Sequence, residues 1–379
     1  MTQIPTPPPV RPRSTFVPNG ASAEKQPNPA PKPIIKKAAP RRQIISQSRR
    51  PNMGTSKRPH QGNGGSRRPR TARPHRGREK SSGIPFGPSR LQEPMLIKQP
   101  PRNPDGMYLI PLGGLEEIGR NSAAVEYKGD IVIIDLGLMF PNENMYGIDY
   151  IIPDISPLAG KEKNIKGVIV THAHYDHFGG VPHLLPKLGN PPIFGSEFTM
   201  RLVEKRQADF PMYAKPKVNI VKRKEVFRLG KFEIETFHVN HSVPNAFGVV
   251  VRTPAGSIAF TGDFKFDTNP VNDLPADEEH LQEIGTKGIT VLYTDSTGAE
   301  REGHSLSEKA VETNLEKIFS EHPSQRIITA TFSSMIDRLQ QMVSIAEKHG
   351  RKVAVDGYSM KTNVAIAKEI GFMDFKPGT

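Results

Sequence analysis

The stretch Thr171-His172-Ala173-His174-Tyr175-Asp176-His177 follows directly on the apolar run Gly167-Val168-Ile169-Val170. The apolar run is typical of a buried strand, and Asp176 to Leu188 is predicted as the start of a helix. The three imidazoles and one carboxylate therefore lie on a loop between a strand and a helix, where α/β folds place their chemistry. In a packed core each ring nitrogen and carboxylate oxygen would need its own partner, and a metal ion satisfies several at once.

The basic residues of the chain are concentrated in its first hundred positions. Residues 1–100 hold 21 Lys and Arg against 3 Asp and Glu, whereas residues 101–379 hold 31 against 36. The first segment also contains 19 of the 37 prolines and only two aromatic residues, Phe16 and Phe86. So little apolar surface cannot offset the entropy of ordering, and residues 1–100 are predicted to form a disordered, basic, Pro/Arg-rich tail.

The charge runs of the tail suggest a partner. Runs such as Arg67-Arg68-Pro69-Arg70 attract a polyanion through counterion release, with a steep salt dependence. Because the tail has no interleaved aromatics to stack on bases, nucleic-acid binding by residues 1–100 is expected to be independent of sequence. A solubilising tail with no partner is the alternative that the charge runs leave open.

Several classes of protein are excluded by composition. The chain has no cysteine, so disulfides and thiolate sites are excluded and His, Asp and Glu are the only strong metal ligands. The proline-rich start, Met1 to Val10, does not have the pattern of a signal peptide, and nowhere do 18 apolar residues run together. We therefore expect a soluble, cytoplasmic protein.

The ordered region is predicted to begin near Met107 and to contain two domains. Strands are predicted at 107–112, 122–127, 131–134 and 167–170, then at 218–221, 226–229, 232–237, 246–253, 257–261 and 289–293. From residue 300, a capping box Ser305-Leu306-Ser307-Glu308 opens a helix, and helices at 335–349 and 362–370 alternate with strands at 326–331 and 352–355. This alternation indicates a parallel, doubly wound second domain. We divide the chain into the tail (1–100), a core domain (101–300) and the second domain (301–379).

Polar residues at other strand ends extend the candidate site. His172 and His174 are alternate residues of an extended loop and should share one metal ion, with Asp176 and His177 placed for a second. His241 is a candidate third imidazole for the first ion, and Asp263 a carboxylate that bridges both. Singly, either would be an ordinary loop residue, but their joint appearance at strand ends favours a site.

Such a site has a definite chemistry. Two ions about 3.5–4 Å apart, with a bridging hydroxide, activate water and stabilise the oxygens of a displacement at phosphorus. This indicates a phosphodiesterase or a related hydrolase. Asp135, at the end of a buried strand, is either a turn former or an acceptor that orients a ligand histidine, and we favour the second role. His183 is expected to be a packing or surface residue.

The run His172 to His177 is also the HxHxDH signature of the metallo-β-lactamase superfamily. Further stretches resemble ribonuclease J, of the β-CASP branch of that superfamily, and the resemblance runs from about Met107 to the last residue. These stretches are Leu112–Asn121, Ile148–Ile155, His241–Pro244, Thr261–Asp267 and Asp295–Glu300. The resemblance implies an α/β fold: an incomplete metallo-β-lactamase αββα sandwich followed by the first part of an inserted β-CASP parallel α/β domain.

The same resemblance implies the function and the roles of the site residues. It implies a zinc-dependent ribonuclease that degrades RNA from the 5′ end and also cuts internally. One zinc ion is then held by His172, His174 and His241, the other by Asp176 and His177, and Asp263 bridges them. The catalytic roles are implied for Asp176, His177 and Asp263, with Asp135 supporting the site. Asp295 matches an acidic β-CASP motif near the site, with a turn-forming role as the alternative.

The sequence also departs from the ribonuclease J pattern. These enzymes continue with a Ser-Gly-His-Ala segment that helps hold phosphate, a His-Gly-Glu segment that completes the second zinc site, and a C-terminal domain used in oligomerisation. None occurs here, so we expect a C-terminally truncated chain with impaired activity. Asn245, Met335 and Asp337 depart from the family in segments that contact substrate. Two alternatives are a small-molecule hydrolase of the same fold and an inactive fragment that binds RNA through its basic tail.

Overall fold

The computed structural model describes residues 102–379. The predicted tail, residues 1–100, lies outside the described residues. The described part contains two β-sheets of six and five strands. Within these residues no helix is long and apolar enough to cross a membrane.

The first sheet has its strands in the order of the chain. They are β1 (Met107–Gly113), β2 (Ser122–Tyr127), β3 (Asp130–Ile134), β4 (Ile165–Ile169), β5 (Ile193–Gly195) and β6 (Val218–Ile220). β1, β2 and β3 are antiparallel, and β3 to β6 are parallel. Lys128 and Gly129, with φ of 47° and 83°, form the turn between β2 and β3, as expected for a two-residue hairpin. The parallel strands β3 to β6 need crossovers, and these carry the helices and the His cluster.

The second sheet packs face to face on the first. It consists of β7 (Val226–Leu229), β8 (Phe232–His238), β9 (Phe247–Thr253), β10 (Gly256–Phe260) and β11 (Val291–Tyr293), in that order, and only the β10–β11 pair is parallel. Val125 and Ile134 of the first sheet join Ile234 and Val249 of the second in one buried apolar cluster. Burying both inner faces in this way stabilises the pairing of the two sheets.

Helices cover the two outer faces of these sheets. They are α1 (Tyr175–Phe178), α2 (Val181–Leu184), α3 (Glu197–Ala208), α4 (Glu278–Thr286), α5 (Glu308–Glu321), α6 (Ile336–Lys348) and α7 (Tyr358–Glu369). Phe178 and Phe198 pack on Ile133 of the first sheet, while Ile284 packs against Val250 of the second. The four layers confirm the predicted αββα sandwich.

The helix predicted from Asp176 to Leu188 is broken, which corrects the sequence prediction. The structure has two one-turn helices, α1 and α2, and a 3-10 turn, Pro186–Leu188. Gly179 lies between them in close contact with Leu138, where a Cβ atom would approach the Leu138 Cδ2 atom to 2.5 Å. The break lets the segment after the His cluster pack closely on the loop that follows β3.

The region after residue 300 differs from prediction in its strands. The helices predicted at 335–349 and 362–370 are confirmed as α6 and α7, but the segments 326–331 and 352–355 form no strand. A strand exists only through a hydrogen-bonded neighbour, and among residues 102–379 these segments pair with none. The capping residue of α5 is Ser307 rather than Ser305, because the Ser307 Oγ atom accepts the amide of Ala310.

The helices after residue 300 dock on the core through apolar contacts, with Ile336 and Leu339 in the same buried cluster as Phe198, and through a partly buried ion cluster. The Glu308 carboxylate accepts from Lys265 Nζ at 2.9 Å and from the Arg338 guanidinium at 2.8 Å. The Glu308 amide donates to Asp267 Oδ2 at 2.9 Å. These contacts tie the starts of α5 and α6 to the loop after β10.

Asp337, in the first turn of α6, should make stability depend on pH. Burial, and then repulsion by Asp273 and Glu308 that Arg223 and Lys265 only partly offset, raise the pKa of Asp337 to about 7. The folded chain therefore binds this proton more tightly than the unfolded chain, and the free energy of unfolding should fall as pH rises from about 4 to about 7.

The substitution Asp337→Asn imitates the protonated form. At pH 8 it should raise the free energy of unfolding by about 1–3 kcal/mol, which is below the full linkage value because the carboxyl keeps some solvent. The gain should shrink towards pH 4. Denaturant unfolding at a series of pH values measures this gain in the free energy of unfolding. The matched control is Asp374→Asn, because Asp374 is an exposed residue. A pH-independent difference from the parent chain would contradict the assignment.

Candidate metal centre

The predicted ligands come together at one edge of the two sheets. His172 and His174 follow β4, His241 follows β8 and Asp263 follows β10, so each lies just beyond the carboxyl end of its strand. β8 and β10 run in the same direction because both are antiparallel to β9. Their carboxyl ends therefore reach the same edge, where His241 and Asp263 meet the loop after β4.

Backbone hydrogen bonds hold the loop after β3 against the His cluster. The amide of Leu136 donates to the His177 carbonyl at 2.9 Å, and the amide of Leu138 donates to the Tyr175 carbonyl at 3.0 Å. Between them, Gly137 lies so close that a Cβ atom would collide with the Asp176 carbonyl. Only glycine permits this approach, so the site is fixed by main-chain contacts as well as by side chains.

Three ring nitrogens and one carboxylate form the first donor group. His174 Nδ1 lies 3.1 Å from His172 Nε2 and 3.1 Å from His241 Nε2. Asp263 Oδ2 lies 3.8 Å from His172 Nε2 and 3.7 Å from His241 Nε2. One ring nitrogen has a single lone pair or a single proton, so His174 Nδ1 cannot satisfy both neighbours by hydrogen bonding.

A cation does satisfy this first group. Tetrahedral ligands about 2.0–2.1 Å from a zinc ion are separated from each other by about 3.3 Å. The observed distances between donor atoms bracket that value, so these residues fit a metal ion. His172, His174, His241 and Asp263 place one donor atom each within 4.8 Å of the others.

Asp263 also belongs to a second donor group. Its Oδ1 atom lies 3.1 Å from His177 Nε2, and Asp176 Oδ2 lies 3.6 Å from the same nitrogen. Asp176, His177 and Asp263 together satisfy the spacing of a metal group. Asp263 therefore directs one carboxylate oxygen to each group, which is the arrangement that a bridging ligand requires.

The protonation states suit metal binding at the first group. Burial lowers the pKa of His172, and it lowers the pKa of His174 and His241 to about 4. Burial opposes ionisation of Asp263, but the hydrogen bond from His177 and the neighbouring imidazoles lower the Asp263 pKa to about 2. At neutral pH the rings therefore offer lone pairs and the carboxylate is charged, and no proton has to leave first.

Asp135 makes the contact that an orienting role requires. Its Oδ2 atom accepts from His177 Nδ1 at 2.8 Å, and Thr171 donates its amide to Oδ1 at 2.8 Å and its hydroxyl to Oδ2 at 3.0 Å. Burial disfavours the charged imidazole, but Asp135 raises the pKa of His177. Asp135 thereby holds the Nδ1 proton while Nε2 donates to Asp263, and the Nε2 proton would have to leave before that nitrogen could bind a metal ion.

Sequence reasoning missed two residues that contact the donors. Ser334 Oγ lies 3.0 Å from His174 Nε2, and Asn121 Nδ2 lies 3.0 Å from His177 Nε2 and 3.3 Å from Asp176 Oδ2. Asn121 ends the stretch Leu112–Asn121 and could have been suspected from that resemblance. Ser334 directly precedes Met335, in a segment that the resemblance already places at the substrate, but its contact with His174, 160 residues away, has no signal in the sequence.

Two other predicted residues lie outside the donor groups. The Asp295 carboxylate accepts the Thr297 amide at 2.7 Å, and the Asp295 amide donates to Thr261 Oγ1 at 3.0 Å. Asp295 thus forms a turn close to the Asp263 loop. His183 packs as expected: its ring stacks on Tyr150 with centroids 4.6 Å apart.

Comparisons with known proteins agree with this geometry. Residues 115–319 match the family described as Metallo-beta-lactamase superfamily, and residues 324–379 match the family described as Ribonuclease J, beta-CASP domain. Ribonuclease J of Synechocystis sp. is 37% identical over 268 residues, which cover 70% of this chain and 42% of the relative. Ribonuclease J of Mycolicibacterium smegmatis is 37% identical over 278 residues, which cover 73% and 49%. The chain thus spans less than half the length of these relatives.

A solved structure shares the fold. A protein from Enterococcus faecalis, described as of unknown function, superposes with a TM-score of 0.53 at 18% identity. The match covers 70% of this chain and 68% of that protein. At this identity the likeness shows the fold alone.

Replacing Asp135 by Asn should weaken metal binding. The amide offers one acceptor where His177 and Thr171 present three donors, so the His177 ring loses its fixed orientation. We expect zinc affinity to fall by about 10- to 100-fold, measured by competition with a chromogenic chelator. The control is Glu235→Gln, another buried carboxylate, which pairs with Arg252 on the second sheet. Equal affinities for the Asp135 variant and the parent would contradict the orienting role.

Proposed function

This chain belongs to the metallo-β-lactamase superfamily, and from that premise we propose that it is a zinc-dependent ribonuclease of the ribonuclease J type. The observation that supports the proposal best is the sharing of Asp263 between two donor groups. A bridged pair of metal sites is the arrangement used for displacement at phosphorus. The match of residues 324–379 to the ribonuclease J β-CASP domain points to RNA as the substrate.

The donor set favours zinc. Neutral imidazole and carboxylate are ligands that zinc accepts in catalytic sites, and the chain contains no cysteine that would favour a softer metal. In this proposal one ion would be held by His172, His174, His241 and Asp263, and the other by Asp176, His177 and Asp263. The second group offers only three donors among residues 102–379, so the second ion should bind more weakly.

The zinc ions, when bound, would supply a water nucleophile at neutral pH and Lewis-acid stabilisation of phosphate oxygens. The protein's own side chains prepare the site. Asp263 keeps the two donor groups together, and Asp135 fixes the His177 ring. Asn121 donates to the Asp176 carboxylate, and Ser334 contacts the ring edge of His174 that faces away from the first group. These contacts hold the donors in place before substrate arrives, so little reorganisation accompanies the reaction.

The proposal covers both 5′-to-3′ exonuclease and endonuclease action on cytoplasmic RNA. It also keeps the division into a core (101–300) and a β-CASP portion (301–379). A small ester would need no second domain beside the metal site. The contact of Ser334 with His174 brings the region after residue 300 to the donors, and this favours an extended substrate.

Zinc content and RNA hydrolysis test the proposal together. The chain should bind zinc and hydrolyse a 5′-monophosphorylated RNA, at an impaired rate because the second group offers only three donors among residues 102–379. His174→Ala should lose at least 100-fold in rate and most of the bound zinc. His183→Ala is the matched control because His183 stacks on Tyr150 away from the donors, and it should keep both properties. Equal RNA turnover by His174→Ala and the parent chain would rule out the zinc mechanism.

The basic tail has its own test. Residues 1–100 carry a net charge of +18, so RNA affinity should fall steeply as salt rises, by a slope of about 0.7 per phosphate contact in a log–log plot. A chain lacking residues 1–95 should show a much smaller slope while its zinc content is unchanged. Fluorescence anisotropy of a labelled RNA across a salt series measures the slope for both chains. A flat response of the parent chain would contradict a role for the tail.

A further inference from the structure

A small cleft lies directly beside the metal donors. It encloses about 190 Å³ and is bounded by His174 and Tyr175, by the last turns of α3, by the segment before α6 and by the first turn of α7. The volume is below the roughly 300–1,000 Å³ of pockets that bury drug-sized ligands. The cleft therefore has room for one flat ring rather than for a large molecule. We call it the aromatic cleft.

Two aromatic side chains of this cleft are unusually exposed. Phe332 is 79% exposed and Tyr358 is 72% exposed. Within residues 102–379 neither ring stacks on another aromatic ring. Tyr175, by contrast, is already stacked on Phe178 at 5.1 Å and lies beside the Arg206 guanidinium at 5.6 Å. Phe332 therefore offers a free ring, and Tyr358, over which Lys205 Nζ lies at 5.8 Å, keeps one free face. Exposed rings next to a site mark an interaction surface.

Positive charge lines the same cleft. Lys205 lies with its Nζ atom 5.8 Å from the Tyr358 ring. Arg206 lines the cleft with its guanidinium over the Phe210 ring at 4.8 Å, and it reaches Asp209, the one acidic residue of the lining, only at 3.7 Å. Two basic side chains against one carboxylate, beside exposed aromatic rings, suit a phosphate group attached to a flat base.

Two helices begin at the cleft without a capping side chain. Ser333 and Ser334 precede α6, and Tyr358 and Ser359 begin α7, and neither helix has a side-chain hydrogen bond at its cap. The first amides of a helix lack internal partners and carry partial positive charge. The first amide of α6 donates to the Ser334 carbonyl, whereas Tyr358 and Ser359 at the start of α7 line the cleft. Together with Lys205 and Arg206, the start of α7 makes the surroundings of the two rings favourable for an anion.

From these observations we infer that the aromatic cleft is a stacking subsite for one nucleobase of single-stranded RNA, next to the nucleotide whose phosphate lies at the metal donors. The base stacks on Tyr358 and Phe332, and its backbone phosphate lies by Lys205 and Arg206. The inference rests on the proposed function, because it takes RNA as the ligand.

The position of His174 links the cleft to the reaction. Its Nδ1 atom lies in the first donor group, while its Nε2 atom faces Ser334, which lines the cleft. A base in the cleft is therefore separated from the donors by one imidazole ring. Stacking engages a π-face that every base has, so the subsite should hold any base and should position the strand without reading its sequence.

A peptide partner fits these observations less well. An apolar peptide side chain would use the two rings but leave Lys205, Arg206 and the uncapped amides without an anion. A nucleotide uses the rings and the charges together. If RNA affinity proves independent of Tyr358, the cleft is instead assigned to an apolar peptide side chain.

The test is a scan with abasic nucleotides. The full chain is titrated into labelled eight-nucleotide RNAs that each lack one base, in EDTA to stop hydrolysis and at raised salt to suppress the tail. In the parent chain, one position should lose about 5- to 100-fold in affinity, the range for one stacked base. Tyr358→Ala should weaken binding of the intact RNA by a similar factor and should no longer respond to base removal at that position.

Three variants serve as controls. Tyr358→Phe keeps the ring and should keep the parent's affinity and its abasic response. Phe332→Ala should act like Tyr358→Ala, which guards against misfolding of a single variant. Tyr146→Ala removes a tyrosine that is 89% exposed and does not line the cleft, and it should bind as the parent does. Two results would overturn the subsite. One is that the losses of binding free energy from Tyr358→Ala and from base removal add, which means that the ring and the base do not contact each other. The other is that Tyr358→Ala binds intact RNA as tightly as the parent chain does.

The outcome is separable from that of the proposed function. The abasic scan is read without zinc and without turnover, whereas the proposed function is read as zinc-dependent hydrolysis lost in His174→Ala. If the chain hydrolyses RNA but the effects of base removal and of Tyr358→Ala simply add, the subsite is wrong and the proposed ribonuclease function stands. If the two effects are coupled but no hydrolysis is seen, the proposed ribonuclease function is wrong and the RNA subsite stands.

Discussion

The rest of the site depends on the convergence of three neutral imidazoles on one carboxylate. His172 is buried and His174 and His241 are partly buried. This burial keeps their rings uncharged at neutral pH, so each offers a lone pair that no neighbouring donor can fully satisfy. Asp263 supplies the negative charge that such a cluster needs and extends it to His177. A polar cluster of this kind is costly in a packed interior unless a cation completes it. The arrangement is therefore a strong structural argument for a metal centre.

The two-sheet architecture makes this convergence possible. The first sheet supplies the His cluster after β4, and the second supplies His241 and Asp263 from the ends of β8 and β10. The face-to-face apolar contact between the sheets fixes these ends relative to each other, because close packing leaves little freedom to slide. The main-chain contacts around Gly137 then lock the loop after β3 onto the cluster. Stability and ligand placement therefore come from the same contacts.

The region after residue 300 contributes to the site as well as to the fold. Ser334 contacts a donor histidine, and the Glu308 ion cluster ties α5 and α6 to the loop that carries Asp263. In the same region Phe332 and Tyr358 expose ring faces beside His174. Ser334 thus lies 3.0 Å from a donor ring, and Phe332 and Tyr358 line a cleft that reaches the same ring. The region after residue 300 therefore forms one wall of the surroundings of His174.

From its own patterns the sequence predicted the strands up to residue 261 apart from β5 (Ile193–Gly195), through alternating or continuous apolar runs and glycine turns. The polar residues at strand ends gave the candidate donors, and the resemblance to the metallo-β-lactamase superfamily implied the layer architecture. Only the tertiary structure decided the rest. The segments 326–331 and 352–355 have the composition of strands, but strand formation needs a neighbour that composition does not reveal. The contacts of Ser334 with His174 and of Asn121 with Asp176 join residues 160 and 55 positions apart. Such pairs depend on how the layers pack, because no local propensity encodes the distance between two loops of different sheets.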